Sequence, residues 1–193
     1  SYWGTFTVSS NSGDLVLNYL APTVASNVYT ASSTFTVPIC VNSVVVECWG
    51  GGGAGVTTPN TGDYGGGGGG GGAYSRKTVT VNALETVTVT VGAAGADSWF
   101  QAATNVLAKA GSSGSGNTGG SGGAAGSGIG DVKYSGGNGA NGVTGSYGGG
   151  GGAAAGTSVN GNAGSGSTGG TGVAGGGSGG NGGAPGTAGS VPG

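Results

Sequence analysis

Glycine recurs at every third position in the C-terminal part of the chain, most regularly between residues 136 and 151. The polyproline II helix has three residues per turn and no internal hydrogen bonds, so its N–H and C=O groups point sideways. With a glycine in each turn, two such helices can approach until their backbones bond to each other. We therefore predict a bundle of polyglycine II helices. The glycines predicted to lie between these helices are Gly136, Gly139, Gly142, Gly145, Gly148, Gly151, Gly177, Gly180, Gly183, Gly186 and Gly189.

The glycines are concentrated in two parts of the chain. The sequence holds 55 glycines among 193 residues, about four times the usual share, and most of them lie in residues 50–72 and 111–193. We therefore predict a β-sandwich module at 1–110 with a glycine-rich insertion at 50–72, followed by the polyglycine II bundle at 111–193. The alternative is a disordered, silk-like segment, because ordering a residue costs on the order of 1–2 kcal/mol.

The part that is poor in glycine has the alternating pattern of β-strands. In residues 85–91 valines alternate with threonines, and residues 78–81 repeat this pattern. Such alternation is typical of strands with one buried face. We expect Asn82, Ala83 and Leu84 to join these two strands as a hairpin. The fold class that we predict is all-β, an N-terminal antiparallel β-sandwich followed by the bundle, with essentially no α-helix. Further strands are predicted at residues 5–8, 15–19, 34–37, 44–49 and 104–108.

Several classes of function are excluded by composition. Histidine is absent, which removes the Ser-His-Asp triad, the Cys-His dyad and imidazole metal sites. The six acidic residues are scattered, and we expect no enzyme, no cofactor and no metal. The net charge of −2 gives no basic surface for nucleic acid. No apolar run reaches the roughly 18–20 residues of a membrane span, so we expect no membrane insertion.

The two cysteines, Cys40 and Cys48, do not make a disulfide framework. They are interpreted as two small buried apolar residues, with a disulfide in an oxidising compartment as the alternative.

One stretch of the sequence has a recognisable order of features. Residues 35–53 (FTVPICVNSVVVECWGGGG) contain a strand, a proline turn, a second strand and a tryptophan followed by glycines; the run 65–72 and the alternating stretch 73–95 come next. This series resembles, over about residues 34–126, the glycine-rich domain of bacteriophage tail fibres and tip adhesins, which also occurs in bacterial surface proteins. The usual Pro-Gly turn is replaced by residues 82–84, and both cysteines lie outside the pattern. The resemblance implies a non-enzymatic component of an extracellular or virion fibre, without a fixed set of binding residues.

Three functions stay open on the sequence. The first is a structural and adhesive fibre subunit that forms a homo-oligomer or filament through β-strands and polyglycine II helices. Its N-terminal segment, residues 1–20, could be donated to a neighbouring subunit. The second is a tip adhesin that recognises a cell-surface glycan or protein through loops between the helices. The third and weakest is ice binding by a threonine ladder made of residues 78, 80, 86, 88 and 90, for which a solvent-facing strand is the plainer explanation.

Five residues are candidates for the adhesin surface. Tyr64, Tyr134 and Tyr147 lie in or beside glycine-rich segments, and Asp131 and Lys133 are next to Tyr134. Tyrosine rings at these positions could stack on sugars. Alternatively, they cover the ends of the bundle.

Overall fold

The computed structural model describes residues 5–8, 15–18, 26–57, 65–143, 145, 147–183, 188–190 and 192. These residues form short β-strands, one 3-10 turn at Ala125–Ser127 and no α-helix. The strands are β1 (Thr5–Val8), β2 (Leu15–Asn18), β3 (Ser33–Thr36), β4 (Ser43–Trp49), β5 (Tyr74–Thr80), β6 (Thr86–Thr90), β7 (Ser98–Phe100), β8 (Val106–Ala108) and β9 (Val132–Tyr134).

Two antiparallel sheets make the core of the strand-forming part. One has the order β3-β6-β7-β8 and the other the order β4-β5-β9, while, among the described strands, β1 and β2 pair only with each other. Apolar residues from both larger sheets form a single buried cluster, as the period-two alternation predicted. The antiparallel β-structure and the absence of α-helix among the described residues confirm these parts of the prediction. The cluster contains Val37, Cys48, Val79, Val81, Val87, Val89, Phe100, Val106 and Ala108.

The predicted hairpin between residues 78–81 and 85–91 is wrong. β5 pairs with β4, and β6 pairs with β3 in the other sheet. Residues 33–49 and 74–90 therefore run antiparallel along their whole length and bend together, so that each contributes one strand to each sheet. The bend is held by hydrogen bonds from the amides of Val37 and Leu84 to the carbonyl oxygens of Glu85 and Val37, at 2.8 and 2.9 Å. Leu84 has a left-handed φ of 66°, which turns the chain out of one sheet and into the other.

Most of the predicted strands are present with shifted ends. β5 begins at Tyr74, four residues before the predicted Thr78. The short strands β7 and β9 were not predicted, because neither has the four or more alternating residues on which a strand prediction rests.

The remaining chain consists of segments that run side by side without forming β-ladders. We call them the glycine segments: residues 50–56, 65–72, 111–116, 118–124, 135–143, 147–156, 160–165, 168–173 and 176–182. Successive segments along the chain run in opposite directions, as the bonds from Gly53 to Gly70 and from Val56 to Gly67 illustrate. The division of the chain at residues 110 and 111 stays a prediction. Hydrogen bonds join residues 65–72 to segments on both sides of that division.

Candidate functional site

The glycine segment 65–72 lies at the centre of the glycine-rich part. Its residues from Gly66 to Gly72 are all buried. Backbone hydrogen bonds connect it to five other segments, namely 50–56, 111–116, 118–124, 135–143 and 147–156. A chain of glycines can be bonded on so many sides because no side chain keeps the neighbouring backbones apart.

The bonds of this central segment recur every third residue. The amides of Gly65, Gly68 and Gly71 donate to segment 135–143. The carbonyl oxygens of Gly66, Gly69 and Gly72 accept from segment 147–156 in the same way, at 2.8–2.9 Å. The sequence predicts lateral backbone bonding for residues 136–151. Such bonds are present, and they have a period of three residues.

Close backbone approach makes glycine necessary at many of these positions. A Cβ added at Gly71 would lie 1.9 Å from the carbonyl oxygen of Ala153, and one added at Gly70 would lie 2.0 Å from that of Ser121. Real Cβ atoms do not come this near to a backbone oxygen, and the obstructing atoms belong to main chain that cannot rotate away.

The predicted structural glycines fall into different environments. Gly136, Gly139 and Gly142 all lie against the central segment, where an added Cβ would meet a carbonyl oxygen at 1.8–2.2 Å. Gly145 is in a turn with φ 73°. An added Cβ has more room at Gly148, where the nearest atom is 3.4 Å away.

The other predicted glycines contribute backbone groups or lie near the C-terminus. Gly151 has its nearest obstructing atom at 3.3 Å, and a Cβ on Gly189 would be 2.5 Å from the Ser178 oxygen. The carbonyl oxygens of Gly177 and Gly180 accept bonds from Ala154 and Gly151. Gly183 follows segment 176–182, and Gly186 is outside the described residues.

Several turns between glycine segments converge at the end of the glycine-rich part that is remote from the sheets. Backbone bonds link Gly67 to Gly116, Gly150 to Gly166 and Gly182 to Ser167, so these turns are bonded to neighbouring glycine segments. We call this surface the turn end. Its described residues are Gly116, Asn117, Val143, Gly145, Tyr147, Gly166, Ser167 and Gly182.

Two of these turns repeat one sequence, which the sequence prediction overlooked. Ser115 pairs with Thr118 and Ser165 with Thr168, each around an S-G-x-T turn. The glycine in each turn has a left-handed φ, 58° at Gly116 and 53° at Gly166. The repeated motif GSGNTGG and GSGSTGG, fifty residues apart, was the available signal for them.

Asparagine side chains complete the hydrogen bonding of the outer glycine segments, a second feature that the sequence prediction missed. The Oδ1 atoms of Asn138, Asn141, Asn160 and Asn181 each accept a backbone N–H at 2.8 Å. Each thus takes the place of a carbonyl oxygen from a neighbouring backbone. The spaced asparagines among the glycines were the signal for this role.

The five candidate binding residues do not form one site. Tyr147 is 46% exposed at the turn end, and Tyr64 lies outside the described residues. Asp131, Lys133 and Tyr134 lie at the opposite end, in or beside β9. There the Asp131 amide donates to the Arg76 carbonyl oxygen, and the Lys133 Nζ donates to that of Gly128 at 3.1 Å.

Tyr134 belongs to an aromatic row where the sheets meet the glycine segments. The ring of Tyr74 lies 4.9 Å from that of Trp49 and 6.4 Å from that of Tyr134, measured between centroids. The Trp49 indole N–H donates to the carbonyl oxygen of Ala155 at 2.9 Å. Tyr74 is fully buried and its hydroxyl donates to Glu47. Burial and this bond both raise the Tyr74 pKa above its ordinary value.

Charged side chains gather on the outer face of the sheet β4-β5-β9. Arg76 and Asp131 line a groove of about 310 Å³ together with Val45, Lys77, Thr78 and Val132. Opposite charges lie within this groove, so its electrostatic character is mixed rather than basic.

An ion pair anchors the chain just before glycine segment 111–116. Asp97 accepts hydrogen bonds from the Lys109 ammonium and from the Ala110 amide. Burial raises the pKa of this carboxyl, but the two hydrogen bonds and the positive charge of Lys109 together lower it more, so its pKa lies below the ordinary value.

The predicted threonine ladder is wrong in its arrangement. Thr78 and Thr80 are on β5, which is not a neighbour of β6, so they do not lie beside Thr86 and Thr88. The strand that pairs with β6 is β3, and there the hydroxyls of Thr36 and Thr86 are 3.3 Å apart. The threonine array that suggested ice binding is therefore not formed as predicted, and ice binding itself stays an untested prediction.

Both cysteines are free thiols. Cys48 belongs to the buried cluster, and burial raises the pKa of its thiol to about 12. Cys40 is half-buried in the bend, with a left-handed φ of 65°. The two do not form the alternative disulfide.

The described residues contain neither a metal site nor a membrane-spanning helix. There, no cluster of three or more acidic or thiol side chains is placed to hold a metal ion. Nor does this part of the chain contain a helix with the length and apolarity of a membrane span.

Part of the chain matches a known protein family. No curated protein and no solved structure matches the chain. Residues 27–106, which include β3 to β7 and the central glycine segment, match the family described as "Glycine-rich domain".

Proposed function

We propose that the chain is a non-enzymatic structural and adhesive subunit of an extracellular or virion fibre. In this proposal the glycine segments are polyglycine II helices, and the subunit associates with copies of itself. The three-residue period of the lateral bonds around residues 65–72 is the observation that carries the proposal, because polyglycine II has three residues per turn.

The outer glycine segments supply the means of association. Gly161, Gly172 and Gly179 are only half-buried, whereas the central segment is buried. Backbone groups that face outward from such segments can bond to another copy, as the inner segments bond to one another. Few charged side chains oppose close contact, since they make up 5% of the sequence.

Electron microscopy of the purified chain tests self-association. We expect filaments or ordered oligomers at micromolar concentration, and a chain that sediments as a monomer at all accessible concentrations would contradict the proposal. Fibre diffraction of aligned filaments tests the helix assignment separately. Polyglycine II gives an axial repeat near 3.1 Å per residue, whereas stacked β-strands give about 4.7–4.8 Å.

A second candidate function is a receptor-binding tip. The turn end favours it, because several turns converge there and present the exposed side chains of Val143 and Tyr147. Binding residues are commonly carried on loops held by a rigid scaffold. The partner would be a surface glycan or protein.

Binding to a glycan array and to intact host cells tests this second function. We expect Tyr147→Ala to reduce retention several-fold. Val159→Ala is the matched control, because Val159 is similarly exposed at 44% but follows segment 147–156 at the end near the sheets. Equal retention of both variants and the unchanged chain would exclude Tyr147 from recognition.

A further inference from the structure

Strand β4 has an open outer edge. It lies at the edge of its sheet, with β5 on one side only. The Asn42 carbonyl accepts from Val81, and the Gly50 amide donates to Ala73. Because hydrogen bonding alternates along an antiparallel strand, the amides of residues 43, 45 and 47 face away from β5. In the described part of the chain, nothing bonds to these amides.

This edge has little protection against pairing with another chain. Natural edge strands are commonly protected by lysine, proline, bulges or a covering loop. Between Ser43 and Trp49 there is neither lysine nor proline, and Glu47 is the one charged residue. Val45, in the middle of the edge, is 68% exposed.

The hairpin of β1 and β2 lacks a larger sheet to belong to. It forms a separate two-stranded sheet, and isolated hairpins are at best marginally stable in water. Its cross-strand pairs alternate between apolar pairs, Phe6 with Leu17 and Val8 with Leu15, and pairs that contain a polar residue. This alternation is typical of strands that cover a core on one side.

We propose that the β1–β2 hairpin of one copy adds to the outer edge of β4 in the next copy. The hairpin gains a third strand, and the edge gains partners for its free amides. The donor and acceptor surfaces differ, so each copy can donate at one place and accept at another. Such head-to-tail contacts generate an open filament when they do not close into a ring. This inference rests on the proposed function, since it names the contact by which the subunits associate.

Two full-length variants test the contact, each removing one side of it. Val45→Pro removes an amide hydrogen that faces the open edge and leaves the bonds to β5 in place, as proline is tolerated on edge strands. Leu17→Asp puts a charge into the apolar pairs of the hairpin. Val45→Thr and Leu17→Ile are the matched controls. Circular dichroism and sedimentation velocity are recorded for all five chains.

We expect the unchanged chain and both controls to form filaments, and each of the two variants to remain a folded monomer. An equimolar mixture of the variants should give heterodimers that do not elongate, because one supplies an intact hairpin and the other an intact edge. Filaments from either variant alone, or no heterodimer from two folded variants, would overturn the inference and leave fibre formation standing. A monomeric unchanged chain would overturn both.

Discussion

In the central segment, glycine is required mainly because the neighbouring backbones lie too close to leave room for a Cβ. Its special backbone conformation matters less there. A left-handed φ occurs at a few turn glycines such as Gly116 and Gly166. Within the segments the constraint is the carbonyl oxygen of a neighbouring backbone, which takes the space of a Cβ. Alanine, the mildest substitution elsewhere, is therefore a severe one here.

Adjacent glycines in segment 50–56 allow this constraint to be measured. A Cβ at Gly53 would lie 1.9 Å from the Ser112 oxygen, while one at Gly52 would have its nearest neighbour at 3.5 Å. We expect Gly53→Ala to lower the free energy of unfolding by about 3 kcal/mol, at the upper end of overpacking costs. Gly52→Ala should change it by less than about 1 kcal/mol. Urea denaturation of both variants measures the difference, and equal stabilities would show that the backbones can separate.

Two buried acids of high pKa predict a loss of stability in alkali. Burial raises the pKa of Cys48 to about 12 and also raises that of Tyr74. Above about pH 9 the unfolded chain loses these protons while the folded chain keeps them, so the free energy of unfolding falls as pH rises. We expect it to be flat near neutrality and to decline between about pH 9 and 12.

Denaturation at a series of pH values measures this decline, and Cys48→Ala serves as the comparison. The variant should be less stable near neutrality because it leaves a cavity, but its decline in alkali should be shallower. Equal slopes for both chains would exclude the thiol as a cause.

At the scale of elements, the sequence predicts strands well and their partners poorly. Alternation in residues 85–91 identifies β6 and its buried face, because burial depends on period two. The alternation does not reveal which strand lies alongside β6. The left-handed turn that separates β5 from β6 is also hidden in the sequence, because it is made by Leu84 and not by a glycine.

The candidate site was predictable only in part, for a related reason. Glycines at a three-residue spacing predicted lateral bonding, since that spacing sets which residues face a neighbour. Tyr134 and Tyr147, by contrast, lie at opposite ends of the glycine segments, and their separation depends on where each segment turns. The S-G-x-T repeat marks two other turns, around Gly116 and Gly166, and it does not occur at the turn of Gly145 that separates these two tyrosines.

Trp49 joins an element of the sheet to a glycine segment. Its indole donates to the Ala155 oxygen, so Trp49→Phe leaves that acceptor without its partner. We expect the free energy of unfolding to fall by about 1–3 kcal/mol, measured by urea denaturation. Trp99→Phe is the control, since among the described residues the Trp99 indole has no hydrogen-bond partner. Similar losses in both variants would show that ring size matters and the bond does not.

At the scale of the whole molecule, the sheets and the glycine segments are one structure. The central segment leads directly into Tyr74 and β5, and the Ala73 amide donates to the Lys109 oxygen beyond β8. Breaking the segments apart would therefore expose the aromatic row as well.

We expect one cooperative unfolding transition. The near-ultraviolet circular dichroism of the tryptophans and the exchange protection of the Gly68 and Gly71 amides should be lost at the same urea concentration. Loss of glycine protection well before the tryptophan signal would show that the two parts unfold independently.

The antiparallel course of the glycine segments has a mechanical consequence. A pull on the turn end, directed along the segments and resisted at the sheets, would load the lateral hydrogen bonds in shear. Bonds loaded in this direction must break together, whereas bonds that are peeled apart break one after another. Because the central segment is bonded to five neighbours, tension entering through one turn would be spread over the cross-section. A scaffold of this kind resists stretching mainly through hydrogen bonds between its main chains.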